Sequence, residues 1–336
     1  MAKILAEYID RLCTVEMRRQ GMPRGTHRPL YEAAVAVAGE PLSLHAANLL
    51  LEHCKPGTPV FITCTAGGPP WLPHGESDGP PGGAALARAL AVATGAVPMF
   101  VTTDYQAPPV AASAKGQGLV VIDPDSAVKR NWAASMLEYN ETGTSQDAAN
   151  ALIDRYQPSA IIAIETLGPN PAGITHSVLG HPIQDAPAYY ALFEAAASRE
   201  IVSVGIGDGG NEIGFGNIMD AVHRIQQYGA KCQCPCGQGM ATVVKTTATV
   251  AAAVSNWGAY AVAAMIAFLS RELKAFHDAE TERRVIEACY RAEAVDGAFA
   301  NHGFTVDGID ARVSIDLVNM LATMIRMAGE STHRTF

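Results

Sequence analysis

The stretch that decides the fold is an apolar run that leads two acids into a glycine-rich turn: Ile201-Val202-Ser203-Val204-Gly205-Ile206-Gly207-Asp208-Gly209-Gly210-Asn211-Glu212-Ile213-Gly214. β-Branched residues open the run and closely spaced glycines follow, so we predict a strand that ends in a tight turn. In an open α/β sheet, ligands bind beyond the carboxyl ends of the strands. Asp208 and Glu212 are therefore expected to lie in the ligand-binding or active site.

Similar apolar runs recur along the chain and alternate with helical patterns. We expect strands near 58–65, 97–103, 118–123, 159–165, 201–207 and 241–254, and helices near 82–94, 145–156, 186–199, 211–228, 256–275, 278–295 and 314–328. This alternation predicts an α/β fold with a mostly parallel, doubly wound sheet, helices on both faces and Rossmann-like layering. Residues 1–336 are predicted to form a single α/β domain with an N-terminal helical region (1–55) and C-terminal helices (278–336). The loops 104–117 and 168–187 are candidate lids.

Composition limits the classes of partner. The 336 residues carry a formal net charge of −9, which argues against nucleic acid. The longest apolar stretch, 248–269, is interrupted by Ser255, Asn256 and Gly258 and is a poor membrane span. No signal peptide is apparent, so we expect a cytoplasmic protein that acts on a small molecule, and a homo-oligomer is compatible with the sequence.

A second acidic loop, Gly75-Glu76-Ser77-Asp78-Gly79-Pro80-Pro81-Gly82-Gly83, precedes an alanine-rich helical pattern. Glu76 and Asp78 suit a hard cation, because such ions prefer carboxylate oxygens. The loop also matches the G-x-S-x-G pattern of hydrolases, but that motif needs its serine directly between strand and helix, and a proline-rich loop precedes Ser77. A solvated pair of acids is the remaining alternative.

Two further motifs leave alternatives open. Gly205, Gly207 and Gly210 match the dinucleotide fingerprint, but Asp208 would face the pyrophosphate with like charge and no clear ribose-binding acid follows. The segment Ser255-Asn256-Trp257-Gly258-Ala259-Tyr260 offers a helix cap, hydrogen-bonding groups and two large aromatic side chains. It could line a pocket, although core packing is the commoner role for such aromatic residues.

Cysteine and histidine residues form a separate group of candidates. Cys232, Cys234 and Cys236 alternate along the chain, whereas structural zinc usually takes four ligands with gaps of two to four residues. No matching Cys/His pair lies nearby in sequence, so we expect a reduced thiol loop. His74, His176 and His181 are candidates for an acid, a base or a ligand, and Arg88 for contact with a substrate carboxylate.

Four blocks together resemble the D-glutamate cyclase family, specifically its C-terminal-like domain. They are Glu76-Ser77-Asp78-Gly79-Pro80-Pro81-Gly82, Ile164-Glu165-Thr166-Leu167-Gly168 with Gly173 and Gly180, Gly207-Asp208-Gly209-Gly210-Asn211-Glu212-Ile213-Gly214, and Ser255-Asn256-Trp257-Gly258-Ala259-Tyr260. The resemblance spans most of the chain. This chain departs from many members at Thr166, where they carry Arg, and at Thr246-Thr247, where they carry Asp upstream of the last block.

The resemblance implies a lyase that converts D-glutamate to 5-oxo-D-proline with loss of water. A carboxylate is a poor electrophile, so a divalent cation, Mn²⁺ or Mg²⁺, would help by polarising it. We expect the metal ligands to be Glu76, Asp78, Asp208 and Glu212, and the catalytic residues to be Glu165, Asp208 and Glu212. The residues expected to bind substrate are Ser77, Gly79, Asn211, Ser255, Asn256 and Trp257.

The same acids would also serve two other functions. A metal-dependent phosphatase uses carboxylates to hold ions that clamp an oxyanion. A non-catalytic binding protein would hold a metal or a small molecule without turnover.

Overall fold

A sheet of seven parallel strands lies at the centre of this computed structural model, which describes residues 1–18, 24–142 and 146–330. The strands are β1 (Pro59–Thr63), β2 (Val97–Thr102), β3 (Val120–Val121), β4 (Ala133–Glu138), β5 (Ala160–Ile164), β6 (Val202–Gly207) and β7 (Ala248–Ala251). Their order across the sheet is β3-β4-β2-β1-β5-β6-β7. A separate antiparallel hairpin joins β8 (Thr305–Val306) to β9 (Ile309–Asp310).

Helices cover both faces of this sheet. They are α1 (Ala2–Cys13), α2 (His27–Ala38), α3 (Leu42–His53), α4 (Pro80–Ala93), α5 (Ala107–Gly116), α6 (Pro124–Ala127), α7 (Gln146–Tyr156), α8 (Tyr190–Ala197), α9 (Met219–Ile225), α10 (Ser255–Leu269), α11 (Ala279–Arg291) and α12 (Ala311–Gly329). Alternate strand residues enter two separate cores: Ile62 packs with α4 and α10 on one face, and Phe61 packs with α7 and α8 on the other. The predicted α/β class is confirmed.

Several predicted bounds were wrong. Strand β4 was missed, and the run 241–254 is a strand only over β7. The predicted helix 211–228 is a 3₁₀ turn at Gly216–Ile218 followed by α9, because the acidic turn occupies its first residues. The expected lid 104–117 is largely the helix α5. The predicted start of the next helix, Ser145, lies outside the described residues, and the division into one domain stays a prediction.

The strand order creates a switch point between β1 and β5. The chain builds β2, β3 and β4 on one side of β1 and then crosses to place β5, β6 and β7 on the other side. At such a point the loops leave adjacent strands in opposite directions and open a crevice. The predicted acids follow β1, β5 and β6, so the topology brings them to one edge of the sheet.

No single described helix has both the length and the apolarity that a membrane span requires. The pair α2 and α3, which is bent by 48°, meets them jointly by length and composition only.

Candidate active site

Three carboxylates from three loops meet at the carboxyl edge of the sheet. Asp78, Glu165 and Asp208 each offer an oxygen within 4.8 Å of the others. Two of them are almost completely buried, and Glu165 is partly exposed. We call these three residues the carboxylate trio. Carboxylate oxygens gathered in this way are the donors that a hard divalent cation prefers.

Asp78 is held by the first turn of α10. Its Oδ2 accepts the backbone N–H of Ser255 at 2.9 Å, and its Oδ1 accepts that of Asn256 at 2.8 Å. These N–H groups have no partner within the helix, and the helix dipole favours a negative charge beside them. Burial, followed by the charge of Asp208, still raises the pKa of Asp78 to about 7.

Asn256 ties the same helix to the acidic loop. Its Oδ1 accepts the N–H groups of Gly79 and Gly82 at 2.9 and 2.7 Å, and its Nδ2 donates to the Ser77 carbonyl. Gly79 has a φ of 107°, and a Cβ there would lie 2.5 Å from the Cys64 carbonyl oxygen. Only glycine suits this position, which turns the loop into α4.

Glu165 follows β5 in a left-handed conformation, with a φ of 50°. Such a φ is uncommon for a residue that is not glycine and is concentrated at functional sites. Ser255 Oγ donates to Glu165 Oε2 at 2.5 Å. Burial, followed by the charge of Asp208, raises the pKa of Glu165 well above its usual range.

The glycine-rich turn after β6 is organised by Glu212. Its carboxylate accepts the backbone N–H groups of Asp208, Gly209 and Gly210 at 2.8, 2.7 and 2.6 Å. The Glu212 carboxylate thus already accepts the N–H groups that would otherwise bind the pyrophosphate of a dinucleotide. This argues against the dinucleotide-binding interpretation of the glycine pattern. Glu212 lies outside the carboxylate trio, and its geometry favours shaping the loop that presents Asp208.

Arg18 is the residue that sequence reasoning missed. Its Nη2 lies 2.9 Å from Asp208 Oδ2 and 2.5 Å from Asp307 Oδ2, and all three side chains are mostly buried. Burial alone would lower the pKa of Arg18, but Asp208 and Asp307 reverse this and raise it. His27 accepts from Arg18 Nε at 3.2 Å through Nε2, so its Nδ1 carries the proton that faces the Asp208 carbonyl.

A turn signal could have located Asp307. The dipeptide Asp307-Gly308 joins β8 to β9, and both residues have a positive φ, as a two-residue hairpin turn requires. Arg18, in contrast, follows a surface helix and carries no local motif.

Glu76, a predicted metal ligand, also lies outside the trio and is partly exposed. A Cβ on Gly297 would lie 1.6 Å from Glu76 Oε2, so the Glu76 carboxylate rests against that glycine. Burial, followed by the charge of Asp78, raises the pKa of Glu76 well above its usual range. The surrounding acids are therefore close enough to Glu76 to interact with it.

The residues predicted to bind substrate have varied surroundings. The Ser77 hydroxyl donates to the Thr305 carbonyl at 3.2 Å, and Asn211 Nδ2 donates to the His176 carbonyl at 2.8 Å. Trp257 lies in the hydrophobic core, where its indole N–H donates to Ser314. The roles of these residues in substrate binding stay predictions.

The remaining candidates contact other parts of the chain. His74 bonds to the Tyr105 carbonyl and pairs with Glu293. His181 lies against Gln233, and Arg88 donates to the carbonyls of Gln117 and Lys274. His176 lies beside the three alternating cysteines.

The fold and the site define an α/β protein with a carboxylate cluster at the switch point of a parallel sheet. Residues 28–322 match the family model "D-glutamate cyclase-like, C-terminal". The chain therefore belongs to the D-glutamate cyclase-like family, through this C-terminal domain, as the resemblance predicted. It is also 30% identical over 244 residues to the human protein "D-glutamate cyclase, mitochondrial". That alignment covers 66% of this chain and 34% of the human protein.

Proposed function

We propose that this protein is a D-glutamate cyclase-like lyase that acts on a small acidic substrate. In this reaction the amino nitrogen of D-glutamate bonds to the side-chain carboxyl carbon, and one carbon–oxygen bond breaks. The ammonium group loses two protons in becoming an amide, and the departing oxygen gains two to leave as water. The enzyme must therefore neutralise a carboxylate and move protons between two sites.

The observation that carries this proposal is the convergence of the carboxylate trio. Asp78, Glu165 and Asp208 repel one another in a buried site, and this repulsion contributes to the raised pKa values of Asp78 and Glu165. A divalent cation fits this set of donors, because it supplies the opposite charge and prefers carboxylate oxygens. We assign these three residues as its ligands. When bound, Mn²⁺ or Mg²⁺ would polarise the substrate carboxyl group as a Lewis acid.

Other residues near the proposed metal position would bind the substrate and transfer protons. Arg18 engages Asp208 and Asp307 through Nη2 and His27 through Nε, and its Nη1 makes no hydrogen bond with a described residue. We assign Nη1 to the α-carboxylate of the substrate, because guanidinium N–H groups bind carboxylates well. Glu76 is partly exposed beside the trio, and we assign it to proton transfer between the ammonium group and the departing oxygen.

A substrate comparison tests this proposal. The protein is incubated with D-glutamate, L-glutamate or p-nitrophenyl phosphate, each with Mn²⁺ and with Mg²⁺, and products are followed by chiral chromatography and phosphate release. We expect 5-oxo-D-proline from D-glutamate. Phosphate release without that product would overturn the proposal in favour of a phosphatase. Binding of D-glutamate without turnover would overturn it in favour of a binding protein.

A further inference from the structure

Four potential metal ligands meet away from the carboxylate trio. The fold brings His176 to Cys232, Cys234 and Cys236, although 58 positions separate His176 from Cys234. One ligand atom from each of the four residues lies within 4.8 Å of those of the others. The sequence predicted a reduced thiol loop, and the three cysteines are free of disulfides. The fold adds His176 as a fourth potential ligand, which the spacing along the chain did not reveal. We call these four residues the Cys₃His cluster.

The spacing of these atoms resembles the edges of a coordination tetrahedron. The three sulfur–sulfur distances are 3.5 Å for Cys232–Cys234, 3.3 Å for Cys232–Cys236 and 3.2 Å for Cys234–Cys236. His176 Nε2 lies 3.2 Å from Cys234 Sγ and 4.0 Å from Cys236 Sγ. Thiolates bound to one tetrahedral zinc ion at about 2.3 Å lie about 3.8 Å apart. Small outward shifts of the sulfurs would admit the ion.

Surrounding hydrogen bonds orient the imidazole and one of the sulfurs. His176 is fully buried, and its Nδ1 lies 2.9 Å from the Ile174 carbonyl oxygen. A proton on Nδ1 leaves the Nε2 lone pair facing the sulfurs, which is the usual arrangement of a metal-bound histidine. Asn170 is also buried, and its Nδ2 lies 3.5 Å from Cys236 Sγ. An amide donor at that position stabilises a thiolate.

We propose that the Cys₃His cluster is a structural zinc site. Three thiolates and one neutral imidazole complete a four-coordinate shell, with no position left open for a substrate. Binding releases one proton from each thiol, and the bound centre carries a net charge of −1. Soft sulfur donors separate this site chemically from the carboxylate trio, which suits Mn²⁺ or Mg²⁺.

The zinc ion would join two segments that are far apart in sequence. One contains Pro169 to Pro182, which folds back on itself through two short bridges, and the other is the loop between α9 and β7. The His176 carbonyl accepts Asn211 Nδ2, and Asn211 precedes the Glu212 that shapes the acidic turn. The site would thus steady the loop behind Asp208.

Metal analysis of the full chain tests this proposal. Protein purified under reducing conditions without chelator is expected to contain one zinc ion per chain by mass spectrometry. Replacing that zinc with Co²⁺ should give the thiolate charge-transfer band and the visible absorption of tetrahedral Co²⁺. The variants Cys234→Ser and His176→Ala should lower zinc affinity at least about tenfold, by analogy with the loss of supporting groups. Cys54→Ala, which removes a buried cysteine outside the cluster, should retain the zinc.

The wild-type measurements keep the test decisive even where a variant fails to fold. Reduced protein that contains no zinc and takes up neither Zn²⁺ nor Co²⁺ would overturn the proposal. So would Co²⁺ spectra without thiolate charge transfer, or a stable disulfide among the three cysteines in place of metal. Activity with D-glutamate is not a readout here, so this inference and the proposed function can fail separately.

Discussion

Arg18 Nη2 lies 2.9 Å from Asp208 Oδ2, joining the segment after α1 to the turn after β6 across 190 positions of the chain. The same nitrogen pairs with Asp307. One cation thus balances part of the charge of a crowded acidic site. Its loss would leave buried carboxylates without a partner.

We expect Arg18→Gln to lower the free energy of unfolding by about 3 kcal/mol, since removing one partner from a buried ion pair is costly. Mn²⁺ should restore part of this loss, because it would neutralise Asp208 in the place of Arg18. Urea unfolding with and without Mn²⁺ measures both effects. Arg28→Gln is the matched control, because Arg28 pairs with Glu32 on the surface and should contribute under about 1 kcal/mol. Equal losses in the two variants would contradict the role of Arg18.

Glu212→Gln should destabilise the protein by about 2 kcal/mol. The substituted amide nitrogen cannot accept a backbone N–H, so at least one of the three bonds is lost in a buried turn. Turnover should fall as well, because the turn presents Asp208. The exposed substitution Glu52→Gln should change neither property. Urea unfolding and D-glutamate turnover are the measurements, and a Glu212→Gln protein of wild-type stability would disprove the loop-shaping role.

Gly82→Ala tests the contact between α4 and α10. An added Cβ would lie 2.8 Å from both the Cα and the Oδ1 of Asn256. The Asn256 side chain, whose hydrogen bonds bridge α10 and the acidic loop, must therefore shift. We expect a loss of about 2 kcal/mol, typical of overpacking, together with weaker Mn²⁺ binding through Asp78. Gly329→Ala has open space around the added methyl group and should be near neutral. Unchanged Mn²⁺ affinity in Gly82→Ala would show that the bridge does not position Asp78.

The stability of the metal-free protein should fall as the pH rises. Asp78 has a folded pKa of about 7 against an ordinary value of 3.8, so the folded chain binds more protons between these values. Its stabilising contribution is complete below the unfolded pKa and is lost as the pH rises through about 7. Mn²⁺ should oppose this loss by favouring the ionised form.

Unfolding at several pH values, with chelator and with Mn²⁺, checks this slope. Asp10, whose pKa burial raises to about 6, adds a slope of the same sign. The Asp10 carboxylate accepts the backbone N–H groups of Leu42 and Ser43 at the start of α3, so Mn²⁺ should not change the contribution of Asp10 to the slope. Glu76, Glu165 and Glu212, whose pKa values are also raised, add slopes of the same sign, and Asp10→Asn removes only the Asp10 contribution. A slope that is identical with and without Mn²⁺ would contradict binding at the trio.

The sequence predicted those parts of the fold and site that depend on local pattern. Most strands and the three acidic loops were found, because apolar runs ending in Gly-rich turns are read directly from the chain. Strand β4 was missed because Ala133-Ala134-Ser135-Met136-Leu137-Glu138 has little β-propensity, and its strand form comes from pairing with β2 and β3.

The contacts between residues far apart along the chain could not be predicted from the sequence. Arg18 and His176 reach their partners only through the tertiary fold, from 190 and 58 positions away. The roles of Glu212 and Glu76 as metal ligands, which came from residue type and the family resemblance, stay predictions. Residue type does not show that backbone N–H groups already occupy the Glu212 carboxylate.

The most direct test of the central claim is the dependence of D-glutamate turnover on a hard cation. Protein stripped of weakly bound ions is titrated with Mn²⁺, and 5-oxo-D-proline is measured by chiral chromatography alongside bound Mn²⁺. We predict that product formation rises with bound Mn²⁺ in the wild type and is abolished in Asp208→Asn. Full turnover in the presence of chelator, or no turnover by folded protein that has bound Mn²⁺, would contradict this account.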